Sequence, residues 1–128
     1  MLKLNLGCGR NKKDGYTNVD IDDKVSPDER KHIMELDYPE GSVEVIYLSH
    51  ILEHLPLSSE AILIKRMTKW LKKGGILKIA VPDIKIICKL IADGETEFIL
   101  WNWLYGSGEN NPMSHFWGYT EEILTQIL

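Results

Sequence analysis

The sequence predicts an α/β fold in which a mostly parallel sheet lies between helical layers, three layers in all, within a single domain over residues 1–128. Three observations lead there. Short apolar strands alternate with amphipathic helical stretches. A glycine turn, Gly7-Cys8-Gly9, follows the first strand directly. No repeat, low-complexity tract or linker interrupts the 128 residues, a length that suits one domain.

Taken in order, residues 2–6 alternate apolar with polar side chains and stop at the glycine turn, the mark of a strand. Residues 16–21 form a second strand, and residues 32–36 a third. Val-Glu-Val-Ile-Tyr-Leu over 43–48 is a buried strand, and Ile-Leu-Lys-Ile-Ala-Val over 76–81 is another, stopped by Pro82. Between these two lies a helix. Ser58 or Ser59 can cap it, and Leu63, Met67, Trp70 and Leu71 make one apolar stripe. Lys72 and Lys73 suit its negative end, and Gly74-Gly75 supplies a left-handed exit. Asp83 caps a further helix through Leu90 and Ile91. Residues 97–105 are aromatic-rich and helical, and Thr120 opens a last helix with Ile123, Leu124 and Ile127 facing inward.

Composition bounds the function. The chain carries 15 Lys+Arg against 19 Asp+Glu, a net charge of −4, with 44% apolar and 27% charged residues. That is an ordinary globular balance, without the positive excess that releases counterions from a polyanion, so nucleic acid is not the expected partner. No apolar run approaches the roughly 20 residues that a bilayer-spanning helix needs. Met1-Leu2-Lys3-Leu4 enters the first strand at once, which leaves no room for a signal peptide. The two cysteines, Cys8 and Cys88, lack CxxC spacing and fit a reducing cytoplasm.

Ligands of parallel sheets bind beyond the carboxyl ends of the strands, where strand order reverses. The residues there are Gly7-Cys8-Gly9, Asp20, Glu35-Leu36-Asp37, Ser49-His50 and Pro82-Asp83. Two glycines let a ligand approach backbone closely. The dinucleotide fingerprint is incomplete, because Lys12 stands where its third glycine belongs, and this argues against a nicotinamide cofactor. Asp20 ends the second strand eleven residues after Gly9. A carboxylate there can accept both hydroxyls of a ribose, and so short a spacing leaves little or no helix between the first two strands. A plain turn and a solvated strand end would explain either feature singly; coupled, they favour ribose binding.

Leu4-Asn5-Leu6-Gly7-Cys8-Gly9, Asn18-Val19-Asp20-Ile21, residues 38–47, Ser49-His50-Ile51-Leu52-Glu53-His54-Leu55, Leu71-Lys72-Lys73-Gly74-Gly75 and His115-Phe116-Trp117-Gly118-Tyr119-Thr120 occur in order over nearly the whole chain. This ordered set resembles the class I S-adenosylmethionine-dependent methyltransferases, and more narrowly a small bacterial branch with a shortened first connection. The resemblance implies a Rossmann-like sandwich. It further implies that the Gly7-Cys8-Gly9 backbone cradles the methionine part of the cofactor, that Asp20 holds the ribose hydroxyls and that Ile21 packs on adenine. Either Glu35-Leu36 or Asp37 would meet the adenine amino group, and Ser49 and His50 would face the sulfonium and the acceptor. Two departures stand out. Asn5 occupies a position that is acidic in many members, and no segment supplies the C-terminal strand pair that usually completes the fold. The fifth strand is then an open edge, expected to be covered by residues 97–105, by a second copy of the chain in a homo-oligomer, or by residues absent from this sequence.

Other constellations compete. His50-Ile51-Leu52-Glu53-His54 matches H-x-x-E-H, an inverted zinc-protease pattern, but Pro56 restricts it to a single turn. The favoured reading ties Glu53 and His54 into the loop and points His50 to the cleft. Arg10, Lys12 and Lys13 beside the glycine turn either offset a ligand carboxylate or are solvated. Trp101, Trp103, Tyr105, Phe116, Trp117 and Tyr119 either line an acceptor pocket or, for most of them, fill core. Asn110, Asn111 and His115 follow a glycine-rich loop that can serve as an acceptor lid. The expected activity is methyl transfer from S-adenosylmethionine to a small-molecule acceptor, with His50 or His115 as base if the acceptor arrives protonated, and no metal required. The alternatives are a domain that binds the cofactor or its demethylated product without transfer, and, more remotely, a zinc hydrolase using His50, Glu53 and His54.

Overall fold

The computed structural model of the chain describes residues 1–107 and 113–128. Five strands, β1 (Leu2–Leu6), β2 (Thr17–Asp20), β3 (Glu29–Arg30), β4 (Val43–Ser49) and β5 (Leu71–Ala80), make one sheet in the order β3-β2-β1-β4-β5. All four pairings are parallel. Among the described residues four α-helices accompany them: α1 (Leu57–Trp70), α2 (Ile84–Ala92), α3 (Phe98–Tyr105) and α4 (Glu121–Ile127). The expected α/β, Rossmann-like class is therefore present, and strand order reverses between β1 and β4. None of these helices is long and apolar enough to cross a membrane.

Leu4 and Leu6 lie opposite Ile46 and Leu48 across the β1–β4 pair. They join Leu63, Ile64, Met67 and Trp70 of α1 in one buried cluster. The other side of the sheet carries Asn5 opposite Tyr47, and the β1–β2 connection folds against it. Asn5 Nδ2 reaches Asn11 O at 3.0 Å, and the Lys13 ammonium lies 4.2 Å from the centre of the Tyr47 ring. As the Gly9–Asp20 spacing predicts, that connection contains no helix.

Several boundaries differ from expectation. The third strand is Glu29–Arg30, beside Val19 and Asp20. Residues 33–35, expected in that strand, form a single 3₁₀ turn, because Arg66 holds the Met34 and Leu36 carbonyls and tucks Leu36 into the core. Helix α1 has no serine cap. It starts after Pro56, whose carbonyl accepts from Ser59 N and Glu60 N at 2.9 and 3.0 Å. It ends at Trp70, before Lys72 and Lys73, because Leu71 extends to pair with Val43. Ile76 then pairs with Val45, so Lys72–Gly75 bulges out of register within β5 rather than ending a helix. Lys72 instead meets Glu44 at 3.1 Å. Asp83 and Thr120 cap α2 and α4 as expected. Ile127, expected to face inward, is exposed; Ile123 and Leu124 pack against the core.

Strand β5 is, with β3, one of the two outer strands. Among the described residues no further strand pairs with it, and one parallel bridge, Asp83 to Tyr119, lies just past its end. Residues 97–105, one expected cover for this edge, pack on α2 instead.

Candidate functional site

The site grows from the β1 turn. Gly7 has φ +65°, and a Cβ there would overlap the Ile51 side chain, with Cγ1 at 2.7 Å. The turns after β1 and β4 thus touch at the point where strand order reverses, and only glycine fits both the dihedral and the gap. Cys8 N donates to Val19 O at 3.0 Å. Burial and the Asp20 charge push the Cys8 thiol up, which keeps it protonated and leaves the backbone as this residue's contribution. Gly9 has φ +49° with open space where a Cβ would stand.

Asp20 is brought to this turn. Its Oδ2 accepts from Gly9 N at 2.8 Å and its Oδ1 from Asp22 N at 3.0 Å. An ionised carboxylate has about four lone-pair sites, so both oxygens retain room for a hydroxyl donor. Ile21, next along the chain, is 58% exposed and free to serve as an apolar platform.

A network that sequence reasoning missed holds the turn in place. Buried Asn5 donates through Nδ2 to Asn18 Oδ1 at 2.8 Å, and Lys13 N donates to the same oxygen at 2.7 Å. Asn18 donates through N and Nδ2 to Asp28 Oδ2 at 2.8 and 2.7 Å. These two bonds hold the Asp28 carboxyl below its usual range. Asn5 therefore works as an internal brace. An amide two residues before Asp20 in β2 was the available signal for Asn18; Asp28 gave none. Lys12 is also engaged, donating to Ser26 O at 2.8 Å.

The Glu35-Leu36-Asp37 group divides. Leu36 is fully buried in the core, so its side chain does not line a crevice, whereas both flanking carboxylates are exposed. Ser49 ends β4, half-buried. His50 follows with φ +56°, a conformation that costs a non-glycine residue of order 1–3 kcal/mol and is kept at sites that use it. Its N–H donates to Ala80 O at 2.9 Å, and its Nδ1 lies 3.2 Å from Glu53 Oε1. With Pro82, Asp83, Ile86, Ile87 and Trp103, His50 lines a mostly apolar cleft of about 220 Å³.

The H-x-x-E-H segment is not helical in the manner a zinc protease needs. Only Leu52–His54 turn, as a 3₁₀ unit, and His50 precedes it in the left-handed region. His50 and His54 therefore do not share one helical face. His54 packs edge-on against His115, ring centres 4.8 Å apart. His115 Nδ1 lies 3.0 Å from Trp103 O, and burial together with His54 lowers its pKa, so the imidazole is neutral at pH 7.

The aromatics are more exposed than expected. Trp101, Trp103 and Tyr105 meet solvent because α3 buries only Leu100, and Phe116 and Trp117, beyond α3, are exposed as well. Of the six, Tyr119 alone is core, its hydroxyl donating to buried Glu60, and burial with that carboxylate raises its pKa. Asn110 and Asn111 lie outside the described residues.

A search of curated proteins finds no match to this chain. A family profile described as methyltransferase domain matches residues 4–79, from β1 almost to the end of β5. That span covers more than half of the sequence and contains the glycine turn, Asp20 and His50, so the chain belongs to the methyltransferase domain family.

Proposed function

We propose that this domain uses S-adenosylmethionine and transfers its methyl group to a small-molecule acceptor, in the cytoplasm. The observation that carries the reading is the clasp of Asp20 Oδ2 on the Gly9 amide at the strand-order reversal. It sets a ribose acceptor beside a turn whose outer side is open. The residues fit the group: Gly9 leaves space, both Asp20 oxygens keep acceptor capacity, and Ile21 offers an exposed apolar side chain. Gly7, Cys8 and Gly9 would hold its methionine portion, Asp20 its ribose, Ile21 its adenine, and Glu35 or Asp37 the adenine amino group.

Bound there, S-adenosylmethionine supplies a methyl already activated by a sulfonium, so alignment of the acceptor does much of the work. The cleft beside His50 suits that task. Ile86, Ile87, Pro82 and Trp103 offer an apolar wall, while His50, oriented by Glu53, stands where an acceptor proton can be taken. His115, neutral at pH 7, is the second candidate base so long as its Nε2 lone pair is not taken by another ligand. The acidic balance of the chain supports a small acceptor over nucleic acid.

Calorimetry with S-adenosylmethionine and its demethylated product tests the reading. Both are expected to bind, and Asp20→Ala should lose roughly 1–3 kcal/mol of affinity. Unchanged affinity in that variant rejects the ribose assignment, and no binding at millimolar ligand rejects the cofactor. A methyl-transfer screen over small nucleophiles then separates an enzyme from a domain that only binds.

A further inference from the structure

Glu53, His54 and His115 each offer a metal-ligating atom, and these three atoms lie within 4.8 Å of one another. Two features single the cluster out. Glu53 is 1% exposed, its Oε1 is committed to His50, and its Oε2 has no hydrogen-bond partner among the described residues. An ionised buried oxygen left without a partner is costly, and a cation would satisfy it. In addition, both imidazoles give their Nδ1 to backbone carbonyls. His54 meets Ser114 O at 3.2 Å and His115 meets Trp103 O at 3.0 Å. That arrangement fixes the tautomer and leaves each Nε2 lone pair available, as second-sphere carbonyls do for metal-bound histidines.

We infer that Glu53, His54 and His115 form a binding site for a divalent zinc ion. Two imidazoles and one carboxylate are a donor set that zinc accepts, with water as fourth ligand. Tetrahedral coordination would draw the ligand atoms to roughly 3.3 Å apart, a closure of at most about 1.5 Å on metal binding. The ion would fasten the turn after β4 to the segment that precedes α4. These two are already joined by Phe116 N donating to Glu53 O at 2.7 Å. The site thus anchors His115, whose Nδ1 meets the carbonyl of Trp103 in the cleft wall, and it does not include His50, the other histidine of H-x-x-E-H.

Titration of the metal-free chain with zinc tests this, read by calorimetry and by the thermal midpoint. One equivalent should bind and raise the midpoint. His54→Ala and His115→Gln should each weaken zinc binding by more than about tenfold, the loss that even an outer-sphere partner can cause. Cobalt substitution of the unaltered chain needs no variant. It should give the intense visible bands of four-coordinate cobalt without sulfur-to-cobalt charge transfer. Absence of binding, affinity unchanged from the parent in both histidine variants while circular dichroism shows them folded, or a thiolate band implicating Cys8 or Cys88 would each overturn the assignment. All of these readouts are independent of methyl transfer.

Discussion

Asp28 is exposed, yet two of the bonds that fix the glycine turn end on it. Its Oδ2 accepts both the backbone and side-chain donors of Asn18, and Asn18 in turn steadies Asn5 and the Lys13 amide. Those bonds favour the charged form and lower its pKa from the ordinary 3.8. A carboxylate depressed in the folded state contributes stability that is present above the unfolded value and lost as pH falls through the folded one. Acidification from about pH 5 to about pH 2.5 should therefore cost the parent chain more stability than Asp28→Asn, which keeps an acceptor but cannot titrate. Urea midpoints across that range measure it, and parallel curves would show that the contact is not linked to folding. The glycines and Asp20 were legible in the sequence because each sits next to a strand end. The brace was not, since Asp28 lies ten residues from Asn18 and its role arises only when β3 folds beside β2.

The elements meet most tightly where the turns after β1 and β4 cross. Gly7 carries the positive φ and Ile51 fills the place of its missing side chain. Gly7→Ala meets two penalties there: roughly 1–2 kcal/mol for the left-handed conformation and about 1–3 kcal/mol for overpacking against Ile51. The second penalty belongs to a pair. In an Ile51→Ala background the same substitution should cost less, leaving close to the dihedral cost alone. A double-mutant cycle by chemical denaturation reads the difference. Additive losses would mean that Ile51 moves aside freely and the two turns are not rigidly apposed. Element boundaries show the same dependence on contact. Lys72-Lys73-Gly74-Gly75 has the local signature of a helix exit, and Gly74 does adopt φ +76°, yet the pairing of Leu71 with Val43 draws the stretch into a bulged strand. The caps at Asp83 and Thr120 were legible because each bonds its own helix within three residues.

At the scale of the whole molecule, the core lies against one side of a sheet that ends at β5. A long outer strand with unpaired backbone groups invites a second strand. Several features of β5 resist that. The Lys72–Gly75 bulge breaks its regularity, and Lys73 and Lys78 place exposed charges along it. Two copies meeting edge to edge would confront lysine with lysine, a repulsion that weakens as salt screens it. A second copy pairing at this edge, one of the covers the sequence suggests, would have to overcome these side chains, a device by which natural sheets keep edges apart. Replacing both lysines removes the obstacle while leaving the core and the crevice residues untouched. A Lys73→Val, Lys78→Val chain should show a higher weight-average mass than the parent by sedimentation at the same concentration and moderate ionic strength. Addition of salt should raise the mass of the parent and leave that of the double variant nearly unchanged. If the two chains sediment alike in both conditions, the lysines do not guard the edge, and the bulge at Gly74-Gly75 alone accounts for its isolation.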